Sequence, residues 1–461
     1  MSIPLKSKSS LQPPDLKAYQ PISLTETISY SLGDVGFNLY WAPVTAFLML
    51  YLTDVVGIGI KEVGTLYVVV RLVGAFAEPV FAALADRTHT SYGRYRVWFL
   101  WLAVPMAAAG VLTFSTSGAP EGGKLFYVYT SFILFNLIYT AIQVPYNALS
   151  GVITPNPRER EILMSARFGA AFLTAVLVTW VTPKLVAVAG IADVGLGWQF
   201  AMTIYGVIAF AIFINLFLNT RERFSMVSAP HVNPLLDVRD LLRSRPWLVL
   251  FVLAFVVMMA FALHTGATPY FMKYYIGRPD MVTLFAMLFL VGLAAGSALT
   301  STLTRLLSRS RLIALMLVLM ALAGVGLYFT SPSQINLVFV LQLLSGLSLG
   351  TVSTITFVMY ADVADYNAWK TGKRATAMTY SLIQFGKKIG SALAAAVVTW
   401  AFSSYTANTA PSPALLDNIR LMMGIAPAVL AVLGALIISV YDLSAERVSQ
   451  LHNELFSDQP S

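Results

Sequence analysis

Glu78 and Arg71 are two charges inside an apolar run, Val68-Val69-Val70-Arg71-Leu72-Val73-Gly74-Ala75-Phe76-Ala77-Glu78-Pro79-Val80. Their spacing of seven residues is about two helical turns, which puts both on one helix face with Gly74 between them. Within a bilayer an unpaired charge costs roughly 3 kcal/mol or more, so both residues are expected to be paired or functional.

Polar side chains also recur at helical spacing in other apolar stretches. Asn136, Thr140, Gln143 and Asn147 make one face, and Asp34, Asn38, Trp41 and Thr45 make a second with the same offsets. A third comprises Ser381, Gln384, Lys388 and Ser391. Amides and hydroxyls both donate to and accept from sugar hydroxyls, and an indole such as Trp41 covers the apolar face of a pyranose. Each stripe also has a structural alternative. Thr45, Thr140, Ser381 and Ser391 suit close helix packing, Asn136 a satisfied bundle contact, and Trp41 plain packing. Asp34 and Arg167 either pair within the bundle or meet a ligand. Lys387 lies about 100° around its helix from Lys388, so the two cannot face one cavity.

The elements that position these residues follow from composition. The chain is 57% hydrophobic and only 11% charged, with a mean hydropathy of +0.72, whereas a soluble chain carries about 25% charged residues. Without cysteine it has neither a disulfide framework nor a thiolate metal site. The polar, proline-bearing first 23 residues lack an apolar h-region, which predicts a cytosolic tail rather than a cleaved signal. Apolar stretches of about 20 residues predict twelve spans, at 25–53, 60–85, 96–115, 125–151, 164–189, 197–219, 246–272, 281–304, 311–330, 334–361, 376–403 and 419–441. Most Lys and Arg fall in the tails and even-numbered loops, so both termini are expected on the cytoplasmic side. The net charge of +8 is then a matter of topology and implies no nucleic-acid partner. The expected architecture is all-α, a major-facilitator-type membrane fold with two six-helix bundles at 25–219 and 246–441. A linker at 220–245 joins them, with cytoplasmic tails at 1–24 and 442–461. The partners are a small solute and the bilayer, and a monomer is adequate.

Three segments resemble the glycoside–pentoside–hexuronide:cation symporters, the family of melibiose permease. The first is Gly33-Asp34-Val35-Gly36-Phe37-Asn38 followed by Tyr51-Leu52-Thr53-Asp54-Val55-Val56-Gly57. The second runs from Arg71 through Pro79 into the Asp86–Arg96 loop. The third is Ala361-Asp362-Val363-Ala364-Asp365-Tyr366-Asn367-Ala368-Trp369-Lys370-Thr371-Gly372-Lys373-Arg374-Ala375, continuing to Gln384 and Lys388. The run Arg158-Glu159-Arg160-Glu161 with Arg167 also fits. The resemblance implies cation-driven uptake of a sugar or glycoside across the bacterial inner membrane. Together with the polar stripes and the Arg71–Glu78 spacing, it points to Asp34, Asn38, Trp41, Gln143, Asn147, Arg167, Gln384 and Lys388 for the substrate, and to Glu78, Arg71, Thr140 and Lys388 for the coupling ion.

Departures from the melibiose branch shift the expectation. That branch has acidic residues where Gly74 and Glu78 stand, and an asparagine at the place of Ala77. With Gly74 and Ala77 offering no side-chain oxygen, Glu78 and Thr140 are a poor set for sodium, a hard cation that wants several oxygens. A lone carboxylate suits a proton, because burial disfavours its charged form. Arg71 or Lys388 would oppose that, so a working carrier exchanges partners during its cycle. The alternatives are a permanent ion pair in an uncoupled facilitator, or residual sodium coupling. No cofactor or metal is expected. Asn38 and Gln143 stand where that branch has carboxylates, which points to a different glycoside or an anionic one met by Arg167 or Lys388.

Asp86, Arg94, Arg96, Asp362, Asp365, Lys373 and Arg374 read as inter-bundle latches, or as ordinary solvated loop charge. Other classes fare worse. The four histidines are dispersed and neither HExxH nor GxSxG occurs, which argues against an enzyme. No re-entrant filter argues for a channel. A carrier of another amphiphile, such as a lysolipid, remains the main rival.

Overall fold

The computed structural model describes residues 21–115, 123–154, 156–190, 193–223, 234–371, 376–402 and 412–443, with positions 447 and 450. The described chain is helical almost throughout. The first half comprises α1 (Leu24–Leu50), α2 (Ile60–Arg87), α3 (Val97–Thr113), α4 (Lys124–Ile153), α5 (Pro157–Ala189) and α6 (Val194–Asn219). A short helix, α7 (Pro234–Leu242), precedes the second half: α8 (Arg245–Tyr270), α9 (Val282–Leu303), α10 (Arg309–Phe329), α11 (Ile335–Thr371), α12 (Thr376–Ala401), α13 (Pro413–Met423) and α14 (Ile425–Ser439).

Ten of these helical segments are long and apolar enough to cross a membrane, counting α13 with α14 as one. The chain is therefore an integral multi-pass membrane protein. Val97–Thr113 is apolar but shorter, and α12 falls outside the ten because Gln384, Lys387 and Lys388 dilute its hydropathy. Helix starts follow local rules. Ser23 accepts from the Glu26 amide at 3.1 Å, and Asn156 caps α5 just before Pro157, whose missing N–H costs nothing there. Pro43, Pro79, Pro105, Pro145, Pro183 and Pro269 lie inside helices, where membrane proteins tolerate proline because neighbouring groups can re-satisfy the freed backbone.

One backbone device occurs twice. α1 ends in a wide turn at Tyr51–Val55 and α8 in one at Phe271–Tyr275, each followed by a glycine at positive φ, Gly57 (81°) and Gly277 (76°). The Val56 and Ile276 amides reach back to Tyr51 and Phe271 at 3.0 Å in both copies. The two halves thus share an element ending.

Packing is strongest within each half. α1 lies against α5 and α6, and α3 against α4 and α6; in the second half α8 lies against α12 and α14, and α9 against α11. Contact across the halves comes from α5 on α9 and α11, and from α12 on α2 and α4. The α9–α11 pair is held by small residues. A Cβ at Gly292 or Gly296 would strike the α11 backbone, and one at Gly346 or Gly350 the α9 backbone. Without a hydrophobic drive between membrane helices, such close approach supplies dispersion and lets Thr351 Oγ1 donate to the Gly296 carbonyl at 3.1 Å.

Candidate functional site

Two charged centres lie between the helices. At the first, Arg167 on α5 holds Asp34 on α1 in a forked pair, Nε to Oδ2 at 2.5 Å and Nη2 to Oδ1 at 3.4 Å. Its remaining donors reach Asn147 Oδ1 at 2.8 Å and Tyr30 Oη at 3.1 Å. The Tyr146 and Phe357 rings sit 4.3 and 4.7 Å from the guanidinium carbon. Tyr30 and Tyr146 are tied in turn by hydroxyl-to-carbonyl bonds of 3.1 and 2.7 Å. Asp34, Asn147 and Arg167 are all buried. In this conformation they satisfy one another, as the bundle-pairing alternative expected, and their charge is spent inside the first half.

Next to this centre Asn38 donates to the Asp34 carbonyl at 2.9 Å. Trp41, two turns from Asp34, is 40% exposed and stacks on Tyr139 with centroids 5.1 Å apart. Gln143 donates to the Tyr139 hydroxyl at 3.2 Å. Trp41, Tyr139 and Gln143 make an aromatic shelf with a polar edge. Sequence spacing identified Trp41 and Gln143, but Tyr139 lies off the polar stripe and was not expected.

The second centre joins the halves. Lys388 Nζ on α12 lies 2.7 Å from Glu78 Oε1 on α2. Glu78 is buried, whereas 40% of the Lys388 side chain is exposed. Glu78 Oε2 and Asn136 Oδ1 are buried acceptors without a hydrogen-bond partner. Asn136 Oδ1 occupies the place a side chain on Gly74 would take, and such a Cβ would stand 3.6 Å from Lys388 Nζ. Gly74 therefore leaves no gap; an amide oxygen from α4 fills it, a substitution that needs two helices to be seen together. Thr140 spends its hydroxyl on the Asn136 carbonyl at 2.8 Å. Arg71 is exposed and forms no ion pair with Glu78, so the structure does not bring it to this centre. On α12, Gln384 Oε1 and Ser381 Oγ are buried without partners. Lys387 turns away from Lys388 and lies over the Tyr360 and Phe357 rings.

Towards the end that bears the Arg87–Arg96 loop, buried ion pairs close the two halves. Arg160 on α5 meets Asp362 at 3.3 Å and Asp365 at 2.8 Å, both on α11. Arg309 bridges Asp362 at 2.5 Å and Glu161 at 2.7 Å, and Arg158 holds Glu161 at 2.7 Å. Asp86 instead accepts the Ala377 and Met378 amides at 3.1 and 3.0 Å, at the first turn of α12, and the Tyr95 hydroxyl at 2.5 Å. Ser150 and Tyr380 bond across the halves at 3.0 Å. Arg94 and Arg96 present their amides to Glu222 at 2.8 and 2.9 Å, and the Arg96 guanidinium reaches the Phe217 carbonyl. Lys373 and Arg374 lie outside the described residues. Among the described residues, Asp362 thus meets Arg160 and Arg309, and Asp365 meets Arg160.

Known proteins agree with this architecture. Residues 29–445 match the family described as MFS/sugar transport protein. The isoprimeverose transporter of Lactiplantibacillus pentosus is 32% identical, over 91% of this chain and 90% of that one. The inner membrane symporter YicJ of Escherichia coli is 31% identical, over 91% and 92%. The structure of the proton:xylose symporter XylE superposes with a TM-score of 0.65, covering 93% of this chain and 98% of that one at 14% identity, a likeness of fold.

Proposed function

The chain belongs to the MFS/sugar transport family, among its glycoside–pentoside–hexuronide:cation symporters, and from that premise we propose that it imports a sugar or glycoside together with a proton by alternating access. The carrier works in the bacterial inner membrane with twelve spans, α13 and α14 forming the last. Both tails are cytoplasmic, and bundles at 25–219 and 246–441 rock about the linker at 220–245. The observation that carries the proton assignment is the Glu78–Lys388 pair, which bridges the two bundles through one carboxylate oxygen and leaves Oε2 uncommitted.

A proton on Glu78 cancels its attraction for Lys388 and releases the bridge between the bundles. When the proton leaves, the pair reforms and the cycle resets. Sodium is the second candidate, because Asn136 Oδ1 adds an oxygen near Gly74. A sodium ion wants several oxygens whereas a proton needs only the uncommitted Oε2, so the proton is preferred. The sealed end with Arg160, Asp362 and Asp365 is cytoplasmic, and this conformation faces outward. Trp41, Tyr139 and Gln143 receive the sugar ring, and Gln384 a hydroxyl.

The test is uptake by proteoliposomes under imposed pH or sodium gradients. A pH gradient should drive accumulation; accumulation driven by sodium and indifferent to pH would sink the proton assignment. Glu78→Gln should retain solute exchange while gradient-driven accumulation falls roughly tenfold or more, since a fixed neutral group cannot carry the proton. Binding of a lysolipid with no saccharide bound would overturn the sugar assignment.

A further inference from the structure

His264, on α8, is buried and belongs to neither charged centre. Its ring stacks on Phe289 of α9 with centroids 4.9 Å apart, which fixes the plane in which its nitrogens point. Nε2 lies 2.8 Å from Gln342 Oε1 on α11, and Nδ1 lies 3.3 Å from the Met423 carbonyl at the end of α13. Both partners are acceptors. The Gln342 amide is held in this sense because its nitrogen donates to the Phe285 carbonyl at 3.3 Å. Turning the amide over would set two oxygens together there. The Met423 carbonyl lacks its helical donor, because the residue four places on is Pro427, which has no N–H. Neutral imidazole has a single N–H. It can therefore fasten α8 to α11, or α8 to the break in the last span, but not to both at once.

We infer that His264 is a positioning residue of the transport cycle, a catch that changes helices between the two states of the carrier. In the conformation sealed at the Arg160 end, the shorter contact puts the proton on Nε2 and ties α8 to α11. In the opposite conformation the proton is on Nδ1, and α8 is tied to Met423. The exchange leaves the ring neutral: water takes the proton from Nε2 and returns one to Nδ1. Two arrangements of one buried group, each excluding the other, make the bistable element that alternating access needs. This inference rests on the alternating-access reading above.

The test is NMR of the full-length protein with nitrogen-labelled histidine, which tells the two neutral tautomers from each other and from imidazolium. Of the four histidines, His264 is the one whose signal His264→Gln removes. In solute-free wild type it should carry its proton on Nε2. Spin labels at Tyr92→Cys and Leu306→Cys, both exposed at the sealed end, read the conformation. Gln342→Leu removes one acceptor, so the proton should move to Nδ1 and the label distance should lengthen. Pro427→Ala gives the Met423 carbonyl a helical donor, so the proton should stay on Nε2 and the labels stay close. Both variants should keep solute affinity within about twofold and slow exchange about tenfold, since each favours one state. Imidazolium or an Nδ1 proton in wild type, or label distances unmoved by Gln342→Leu, would overturn the catch. Should a variant fail to fold, the wild-type tautomer and the other variant decide. None of these readouts depends on which solute is carried, so failure of the catch leaves the carrier assignment standing.

Discussion

Asp34 and Glu78 show how alike two buried carboxylates can look in sequence and how differently they are used. Both oxygens of Asp34 are bound by one guanidinium that also donates to Asn147 and Tyr30. Removing the charge at Asp34 strands a buried Arg167, at a cost of about 3–5 kcal/mol. Asp34→Asn should therefore sharply lower the melting temperature in detergent, and Asp34→Asn with Arg167→Gln should recover much of it. A single variant as stable as wild type would show that the pair is not structural. Glu78 keeps one oxygen uncommitted beside a half-buried Lys388, and the proposal that it carries the proton rests on that oxygen.

At the level of elements, α9 and α11 carry the closest helix contact, made by Gly292 and Gly296 against Gly346 and Gly350. A larger side chain there meets backbone, which cannot swing aside as a side-chain tip can. Gly346→Leu should separate the helices and cost at least the 1–3 kcal/mol or so typical of overpacking. Thermal unfolding in detergent would then fall by several degrees, whereas Gly64→Leu, which meets nothing within 4 Å, should not. Equal stability of the two variants would refute the close-packing account. Segment limits at α1, α2, α6 and α9 were legible from hydropathy to within a few residues, because the bilayer imposes a length on each span. The break at Gly424 between α13 and α14 was not, and Asp417, Asn418 and Arg420 make α13 the more polar of the two pieces.

For the whole molecule, ion pairs cross the halves at one end, and Arg160 lies at their centre with only 2% of its side chain exposed. Arg160→Ala removes the cation that meets both Asp362 and Asp365 across the halves and should favour the state open at that end. The native chain has no cysteine, so spin labels at Tyr92→Cys and Leu306→Cys, both exposed on that side, report the opening directly. The label distance should lengthen in Arg160→Ala; an unchanged distribution would show that packing alone closes this end.

Composition and periodicity determined the membrane setting, the spans and which polar residues share a helix face, because these follow from bilayer thickness and the 3.6-residue turn. Residue type also marked Glu78, Lys388, Asp34 and Arg167 as expensive and in need of partners. Which partner each takes was decided only in three dimensions. Arg71 is on the same helix face as Glu78, yet Lys388 from a helix about three hundred residues away forms the pair. Asn136 replaces the oxygen missing at Gly74, and Arg160 and Arg309 rather than Arg94 and Arg96 take Asp362. Pairing in a bundle depends on the rotation and depth of each helix against its neighbours, quantities that no single helix encodes.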